Sequence, residues 1–385
     1  MTDAVHDYEL LFAEWLGVKN AYSFWKGRVA LYVVLKAIGV GPGDEVILPG
    51  YTCVMDVNPI KYLGARPIYV DIEPATFNMN TKFLQDRITP KTRAIIAQHT
   101  YGYPCDMDAI MNIGNRDAIP VIEDCCLALG SKYRGKMLGT LGRAAYFSFQ
   151  WNKPYTTGLG GMAVTNDSEL PANIEKLRTN QMCPPSNRET FMLWAQLVIY
   201  RLFIYPRTTA LAQSIFRYLT KKGVVIGSSS RSEFEPTMAC DFFKAMSAMQ
   251  ARSGLKQLER VEQNIAHRRK ISQLYDELLE EKGWQGRNYD RSVIEPVMVR
   301  YPVRIGEKNK ALAQAPKAGV ELGSWFECPL HPIETPLAAY DYEVGMCPQA
   351  EKASNEVVNL PLHTRVDERV AKKTVEFVTS FPTVG

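Results

Sequence analysis

From about residue 20 to residue 167 the chain alternates two kinds of segment. Short apolar runs rich in β-branched residues, "DEVILPG", "RPIYVDI", "RAIIAQH" and "IPVIED", are bounded by turn residues. Between them lie stretches such as "GRVALYVVLKAIG" and "MDVNPIKYLG", whose apolar positions recur at helical spacing. Strands that are apolar throughout must be covered on both faces. Their alternation with helices therefore predicts βα units and an α/β fold with a mainly parallel sheet flanked by helices. Ligands on such sheets bind at the carboxyl ends of the strands, and Asp124 stands there, directly after "PVIE".

The chain changes character beyond this region. Leu255, Leu258, Val261 and Ile265, then Ile271, Leu274 and Leu278, fall at spacings of three and four and predict one or two helices over 241–283. "VMVRYPVRI" reads as a strand and "DERVAKKTVEFVTSF" as a closing helix, which together predict a smaller C-terminal α+β domain. At 385 residues the chain exceeds the usual length of one domain. The expected division is a large domain over 1–250, with a helical insertion at about 185–235, and a small domain over 251–385, the boundary falling near 245–260. Inside the insertion, "FMLWAQLVIYRLFIYP" (191–206) is apolar on almost every face, interrupted by Gln196 and Arg201. It is shorter than the ~20 residues a bilayer span needs. A helix buried in the core or in a subunit interface is the expectation, with a membrane contact as the alternative.

Charge excludes one class of partner. With 45 Lys+Arg against 41 Asp+Glu the net charge is +4, and no basic block gathers it, so nucleic acid is not expected. The N-terminus "MTDAVHDYELLFAEWLGV" carries acidic residues early and no uninterrupted apolar core, unlike a secretory signal, so a cytoplasmic location is expected. Eight cysteines without a CxxC pair argue against a zinc site or a disulfide framework; no metal is expected, and the cysteines read as small buried hydrophobes.

"YFSFQWNKPYTTGLGGMAV" (146–164) carries the chemistry. Lys153 there reads as a solvated charge, a phosphate ligand or an amine nucleophile. A nucleophilic amine must be partly unprotonated, which desolvation achieves, and Phe147, Phe149, Trp151 and Tyr155 would enclose it. Were its carbonyl partner pyridoxal phosphate, an acid for the ring nitrogen and a phosphate cradle would be needed as well. Asp124 is the right type for the first. Ser148 and the helix start at Gly27 and Arg28 suit the second, since helix N-terminal amides bind phosphate.

The ordered runs "GVGPGDEVILPGYTC", "GARPIYVDIEPATFNMN", "ITPKTRAIIAQHTYGYPCDMDAI", "VIEDCCLALGSKYRGKMLGTLG" and "YFSFQWNKPYTTGLGGMAVTND" resemble the DegT family of sugar aminotransferases, which are fold type I pyridoxal-phosphate enzymes. The likeness is close over roughly 8–180. It resumes more loosely from about 240, through "AGVELGSWFECPLHP" and "NLPLHTRV". It implies that Lys153 forms the Schiff base and shuttles the proton, that Asp124 partners the pyridinium nitrogen and that Ser148 binds phosphate. It also implies an amino-acid donor such as glutamate, a keto-sugar acceptor that is nucleotide-linked, and a homodimer.

Four features depart from the family pattern. Lys26, Gly27 and Arg28 replace a Ser-Gly-Thr run at the phosphate, where Arg28 could pair the anion bidentately. Leu127 replaces a Gln or His that bonds the cofactor's phenolic oxygen. Cys53 stands at the ring-stacking position, normally aromatic. An Asn-Tyr-Arg segment is missing, and "SEFEPTMACDF" and the insertion stand in its place. These departures mean either drift or a rebuilt pocket. His331, in "CPLHP", is expected on the substrate side; His99 follows a strand and either lines the site or is a satisfied core histidine. Rival readings are a sugar dehydratase-like relative, which the presence of Lys153 opposes, and a non-enzymatic regulatory or binding protein, which Leu127 favours. A nicotinamide-binding domain lacks its GxGxxG after a strand.

Overall fold

The computed structural model describes residues 3–384 except positions 152, 201–233, 286, 288 and 334. Seven strands form one sheet: β1 (Asn20–Phe24), β2 (Glu45–Pro49), β3 (Arg66–Val70), β4 (Thr92–Gln98), β5 (Val121–Asp124), β6 (Ala144–Ser148) and β7 (Gly161–Thr165). Their spatial order is β1-β7-β6-β5-β4-β2-β3. Parallel pairing runs from β3 through β2, β4 and β5 to β6, while β7 is antiparallel to both β6 and β1. β7 is thus the one reversed strand of this sheet, so the other six end on the same edge. Gln98, Asp124 and Ser148, the last residues of β4, β5 and β6, share that edge.

Side chains along each strand alternate between two cores, as a pleat with period two requires. Ile47, Ile95, Ala97, Val121, Ala145 and Phe147 join one core; Val46, Leu48, Ala94, Ile96, Ile122 and Tyr146 join the other. Two layers of helix cover them. α1 (Asp3–Leu16) contributes Tyr8, Phe12 and Leu16 to the first core, with Ile110 of α2 (Met107–Arg116). The second core is closed by α3 (Gly27–Ala37) and α4 (Val54–Tyr62), numbered here by their place in the two layers, through Val29, Val33, Val57 and Ile60. The segments expected as strands and helices from their apolar spacing are found as such.

The 241–283 region forms two helices, α5 (Ala248–Leu258) and α6 (Val261–Glu281). A Ser247–Gln250 capping box starts the first. α5 packs on α1, whereas α6 packs on the closing helix α7 (Glu368–Val378). Beside them β8 (Tyr301–Arg304) pairs antiparallel with β9 (Val357–Leu360).

The apolar segment at 191–206 is only partly buried within the chain. Its described part lies in the helix Asn187–Ile199, started by a Ser186–Glu189 capping box, and that helix is buried on one face only. Leu193 and Leu197 pack with Trp25, Trp151 and Leu159, while Phe191, Trp194 and Ile199 are exposed. Residues 201–206 lie outside the described residues. Among the described residues no helix is long and apolar enough to cross a membrane.

One junction holds the sheet edge together. A Cβ on Gly161 would lie 2.5 Å from the Gly27 Cα, and a Cβ on Gly27 would lie 2.7 Å from the Ser148 Cβ. The first turn of α3 is therefore pressed against the end of β6 and the start of β7, and only hydrogen fits between them. Gly161→Ala forces backbone against backbone and is expected to lower the unfolding free energy by about 1–3 kcal/mol. Urea denaturation followed by circular dichroism measures it.

Candidate functional site

The common edge of the strands opens into a cavity of about 330 Å³, lined by Gly27, Arg28, Cys53, Asp124, Leu127, Ser148, Lys153 and His331 among others. The candidate cofactor and substrate residues except His99 thus converge on one space. The turn after β6 positions Lys153. Phe149 N–H donates to the Gly160 carbonyl (2.9 Å), Thr157 N–H to Phe149 (3.0 Å) and Lys153 N–H to Gln150 (3.0 Å). Gly158 adopts φ +86°, which a side chain resists. Aromatic packing anchors the same segment: Phe149 meets Tyr155 at 4.9 Å between ring centroids, and the Tyr155 hydroxyl donates to the Gly254 carbonyl at 2.6 Å. The enclosure expected from Phe147, Phe149 and Tyr155 thus acts largely as a rigid floor beneath the turn, since all three belong to the core under the sheet.

Lys153 Nζ lies over the Trp325 ring, 4.7 Å from its centroid. Burial drives its pKa below the usual lysine value, opposed by the neighbouring Cys126 thiol, the Asp124 and Asp56 carboxyls and the Cys53 thiol. Such a group exchanges a proton more readily near neutrality than a solvated lysine. Asp124 is 3% exposed, and its Oδ1 accepts from the Cys126 N–H at 2.8 Å. Nearby, α3 begins after Lys26, whose side chain makes no capping hydrogen bond, so the first-turn amides at Gly27 and Arg28 face the cavity without a side-chain cap.

Trp325 and Phe326 reach the cavity from the C-terminal half. Trp325 N–H donates to Asn359 Oδ1 at 2.7 Å and Phe326 N–H to the Tyr101 hydroxyl at 3.2 Å. Leu330–His331 pairs parallel with Thr52–Cys53, which sets His331 opposite Cys53. Burial pushes the Cys53 thiol up to about 12, so it presents a neutral sulfur to the cavity.

His99 stands elsewhere. It is fully buried, its Nδ1 accepts from the Cys105 N–H (3.1 Å) and its Nε2 lies 3.3 Å from Glu123 Oε2. Of the two readings of His99 the structure supports the satisfied core histidine, because both ring nitrogens are engaged beneath the sheet. Glu123 accepts backbone N–H bonds from Gly139, Leu141 and Gly142. His99, Glu123 and Cys125 could bring three ligand atoms within 4.8 Å of one another. Those hydrogen bonds already account for the carboxylate and the imidazole.

Asp56 was not singled out in the sequence, yet it lines the cavity. Its Oδ1 accepts from the Tyr146 hydroxyl at 2.9 Å and its Oδ2 from Thr52 Oγ1 at 3.3 Å. Burial, and then the charge of Asp124, push its pKa up to about 7. Its place in the first turn of a helix reads as ordinary dipole compensation. The signal that would have found it is the strand-end rule, since α4 follows β2.

A raised carboxyl pKa favours the neutral acid in the fold. The associated stability is complete below the ordinary value near 4 and is lost as pH rises through about 7. In cofactor-free protein, Asp56→Asn is therefore expected to be nearly neutral at pH 4 and stabilising at pH 8, by on the order of 2 kcal/mol. Thermal melts of both proteins across that range test it.

A parallel α/β sheet with a desolvated lysine and a carboxylate at its carboxyl edge defines a lysine-dependent enzyme site of the aminotransferase type. Residues 1–195 and 209–379 match the DegT/DnrJ/EryC1/StrS aminotransferase family, and the chain belongs to it. It is 33% identical over 377 residues to the GDP-perosamine synthase of Caulobacter vibrioides, covering 94% of this chain and 85% of that protein. With the UDP-2-acetamido-2-deoxy-3-oxo-D-glucuronate aminotransferase of Pseudomonas aeruginosa it shares 32% over 364 residues, 94% of this chain and 86% of that one. The fold superposes on S. venezuelae DesV in complex with ketimine intermediate, with a TM-score of 0.76 at 23% identity, covering 99% and 89% of the two chains. The fold is that of the fold type I aminotransferases, as the resemblance implied.

Proposed function

We propose that this aminotransferase uses pyridoxal phosphate to move an amino group from an amino-acid donor such as glutamate to a keto sugar carried on a nucleotide. The relatives named for nucleotide-sugar amination support the substrate class. The observation that carries the chemistry is the desolvated Lys153 amine in the same cavity as Asp124.

The cavity suits the cofactor at three points. The uncapped amides at the start of α3 and the Ser148 hydroxyl suit a phosphate, and the Gly27–Ser148 contact brings them together. Asp124 offers an acceptor to a protonated ring nitrogen, and Lys153 offers the amine. When bound, pyridoxal phosphate supplies the carbonyl and the electron-withdrawing ring that the reaction needs. Lys153, its pKa lowered, takes a proton from carbon on one side and returns it on the other. Trp325, Phe326 and Leu127 keep water from that proton. Leu127 leaves the cofactor's phenolic oxygen without a side-chain donor at that position, and Cys53 covers less ring area than an aromatic residue would.

The division into domains and the association of subunits belong to the same proposal. We place the domain boundary near residues 245–260, where α5 packs on α1 and α6 on α7. A homodimer agrees with the exposed Phe191, Trp194 and Ile199, and light scattering at twice the 43.4 kDa chain mass is the expected result.

Borohydride reduction of the pyridoxal-phosphate-loaded protein, followed by peptide mapping, tests the central point. A label on the peptide containing Lys153 is expected, absent from Lys153→Ala. That variant is also expected to lose activity by about 10²–10⁴-fold or more. A label elsewhere, or none under saturating cofactor, would overturn the assignment.

A further inference from the structure

Three residues stand side by side at the carboxyl edge of the sheet. Gln98 of β4 is in register with Asp124 of β5, and Asp124 with Tyr146 of β6. Residues paired in register share a face, and neighbouring strands lie ~4.8 Å apart. Asp124 is therefore flanked by Gln98 on one side and Tyr146 on the other. Asp56, in the first turn of α4, reaches toward both flanks. Its Oδ1 accepts from the Tyr146 hydroxyl at 2.9 Å, and its Oδ2 lies 3.3 Å from Thr52 Oγ1, which in turn lies 2.5 Å from Gln98 Oε1. The second carboxyl thus straddles the first.

The protons along this chain can be counted. Gln98 Nε2 meets the Tyr51 carbonyl at 2.9 Å and Thr100 Oγ1 at 2.9 Å. A carbonyl only accepts, so the amide nitrogen belongs on that side and Oε1 faces Thr52 as an acceptor. The Thr52 hydroxyl has one proton to give, and Gln98, much the nearer acceptor, takes it. While Asp56 is ionised, its contact with Thr52 therefore holds no proton of its own. When Asp56 is protonated the contact becomes a hydrogen bond, and Asp56, Thr52 and Gln98 each donate to the next group along. Asp124 is framed in the opposite sense, because its Oδ1 accepts from the Cys126 N–H at 2.8 Å, a donor that favours the carboxylate. The other titratable groups about Asp56 are Tyr146, Lys153 and the thiols of Cys53 and Cys126, with Arg28 and His331 lining the same cavity. Burial and then Asp124 push the Asp56 pKa up to about 7, in agreement with the proton count.

We propose that Asp56 is a positioning residue that holds the one proton of the acid pair, donating it to Thr52, and so leaves the negative charge on Asp124, the acid assigned to the cofactor's ring nitrogen. This deepens the aminotransferase reading and rests on it. Two acids whose surroundings differ in this way divide their roles, one neutral and one charged. A protonated ring nitrogen brings a single positive charge. One carboxylate matches it, whereas two would leave an anion unpaired in a closing cavity.

The test reads the proton itself. Infrared titration of protein carrying isotope-labelled aspartate, with and without pyridoxal phosphate, isolates the Asp56 carboxyl as the difference between wild type and Asp56→Asn. A neutral acid is expected below a midpoint near 7. Thr52→Val removes the acceptor of the Asp56 proton and is expected to lower that midpoint by about half a pH unit or more. A midpoint that rises in Thr52→Val would mean that the hydroxyl donates to an ionised carboxylate; a rise, or no change, overturns the proposal. Asp56→Asn offers a second route that needs no change at Thr52, since asparagine keeps both the acceptor for Tyr146 and a donor for Thr52 without the charge. Its affinity for pyridoxal phosphate at about pH 6 is expected to stay within about threefold of wild type, and a loss of about tenfold or more would show that the site uses the charge of Asp56 and overturn the proposal. The infrared midpoints are read on the protein with or without cofactor. If borohydride labels no lysine, the aminotransferase reading falls while the titration still decides which acid holds the proton.

Discussion

The site depends on two close approaches that only glycine permits. At the sheet edge, Gly161 admits the backbone of Gly27, and Gly27 admits the side chain of Ser148. That approach fixes the start of α3 relative to the ends of β6 and β7, and so sets the uncapped helix amides, the Ser148 hydroxyl and the turn bearing Lys153 on one wall. Move any of the three segments by a methyl group and the others cannot hold their places. The rigidity extends downward through Phe147, Phe149 and Tyr155 onto α1, where Phe12 packs 5.3 Å from Phe147 and 5.6 Å from Phe149. An amine held this way loses little entropy on reaction, because its backbone is already ordered.

Charge within the cofactor cavity is balanced around that amine. Desolvation alone would discharge Lys153, and the neighbouring carboxylates limit the effect. Asp56 adds a second acid whose own ionisation is discouraged by burial and by Asp124, so the pair resists carrying two negative charges at once. Asp56 thus changes its charge near neutrality, beside Lys153 and Asp124. A proton-transferring amine benefits from such surroundings, since its own charge can change without stranding an unpaired ion.

The parallel sheet, its strand-end acid and the lysine turn were legible in the sequence because each rests on local pattern. Continuous apolar runs give buried strands; Asp124 follows one directly; Gly158, Gly160 and Gly161 announce a turn. His331 was within reach only through resemblance, since its approach to Cys53 depends on a pairing between residues nearly 280 positions apart. Asp56 and Trp325 were not legible, for two physical reasons. Asp56 occupies a helix start, where an acid is ordinary. Trp325 is oriented by Asn359 and Tyr101, partners that no spacing rule connects to it. The helix Asn187–Ile199 was legible in part: its apolar content was read, but composition does not say which face meets the core, and Leu193 and Leu197 do.

The departures from the family pattern share one direction. Leu127 and Cys53 remove a hydrogen-bond donor and aromatic area from this cavity, while Arg28 places charge there. Charged groups bind more strongly than neutral ones at short range, but they must be matched, and an unmatched charge in a closed cavity destabilises it. Arg28 therefore shifts the work of holding a ligand from shape toward electrostatics. A neighbouring cavity of about 790 Å³ shows the same preference, with Lys256, Arg260, Arg268, Arg300 and Arg365 lining a space that opens from Lys153. A site built in this way discriminates among ligands by the number and placement of their negative charges, which suits an enzyme whose donor and acceptor differ in shape but are both anions.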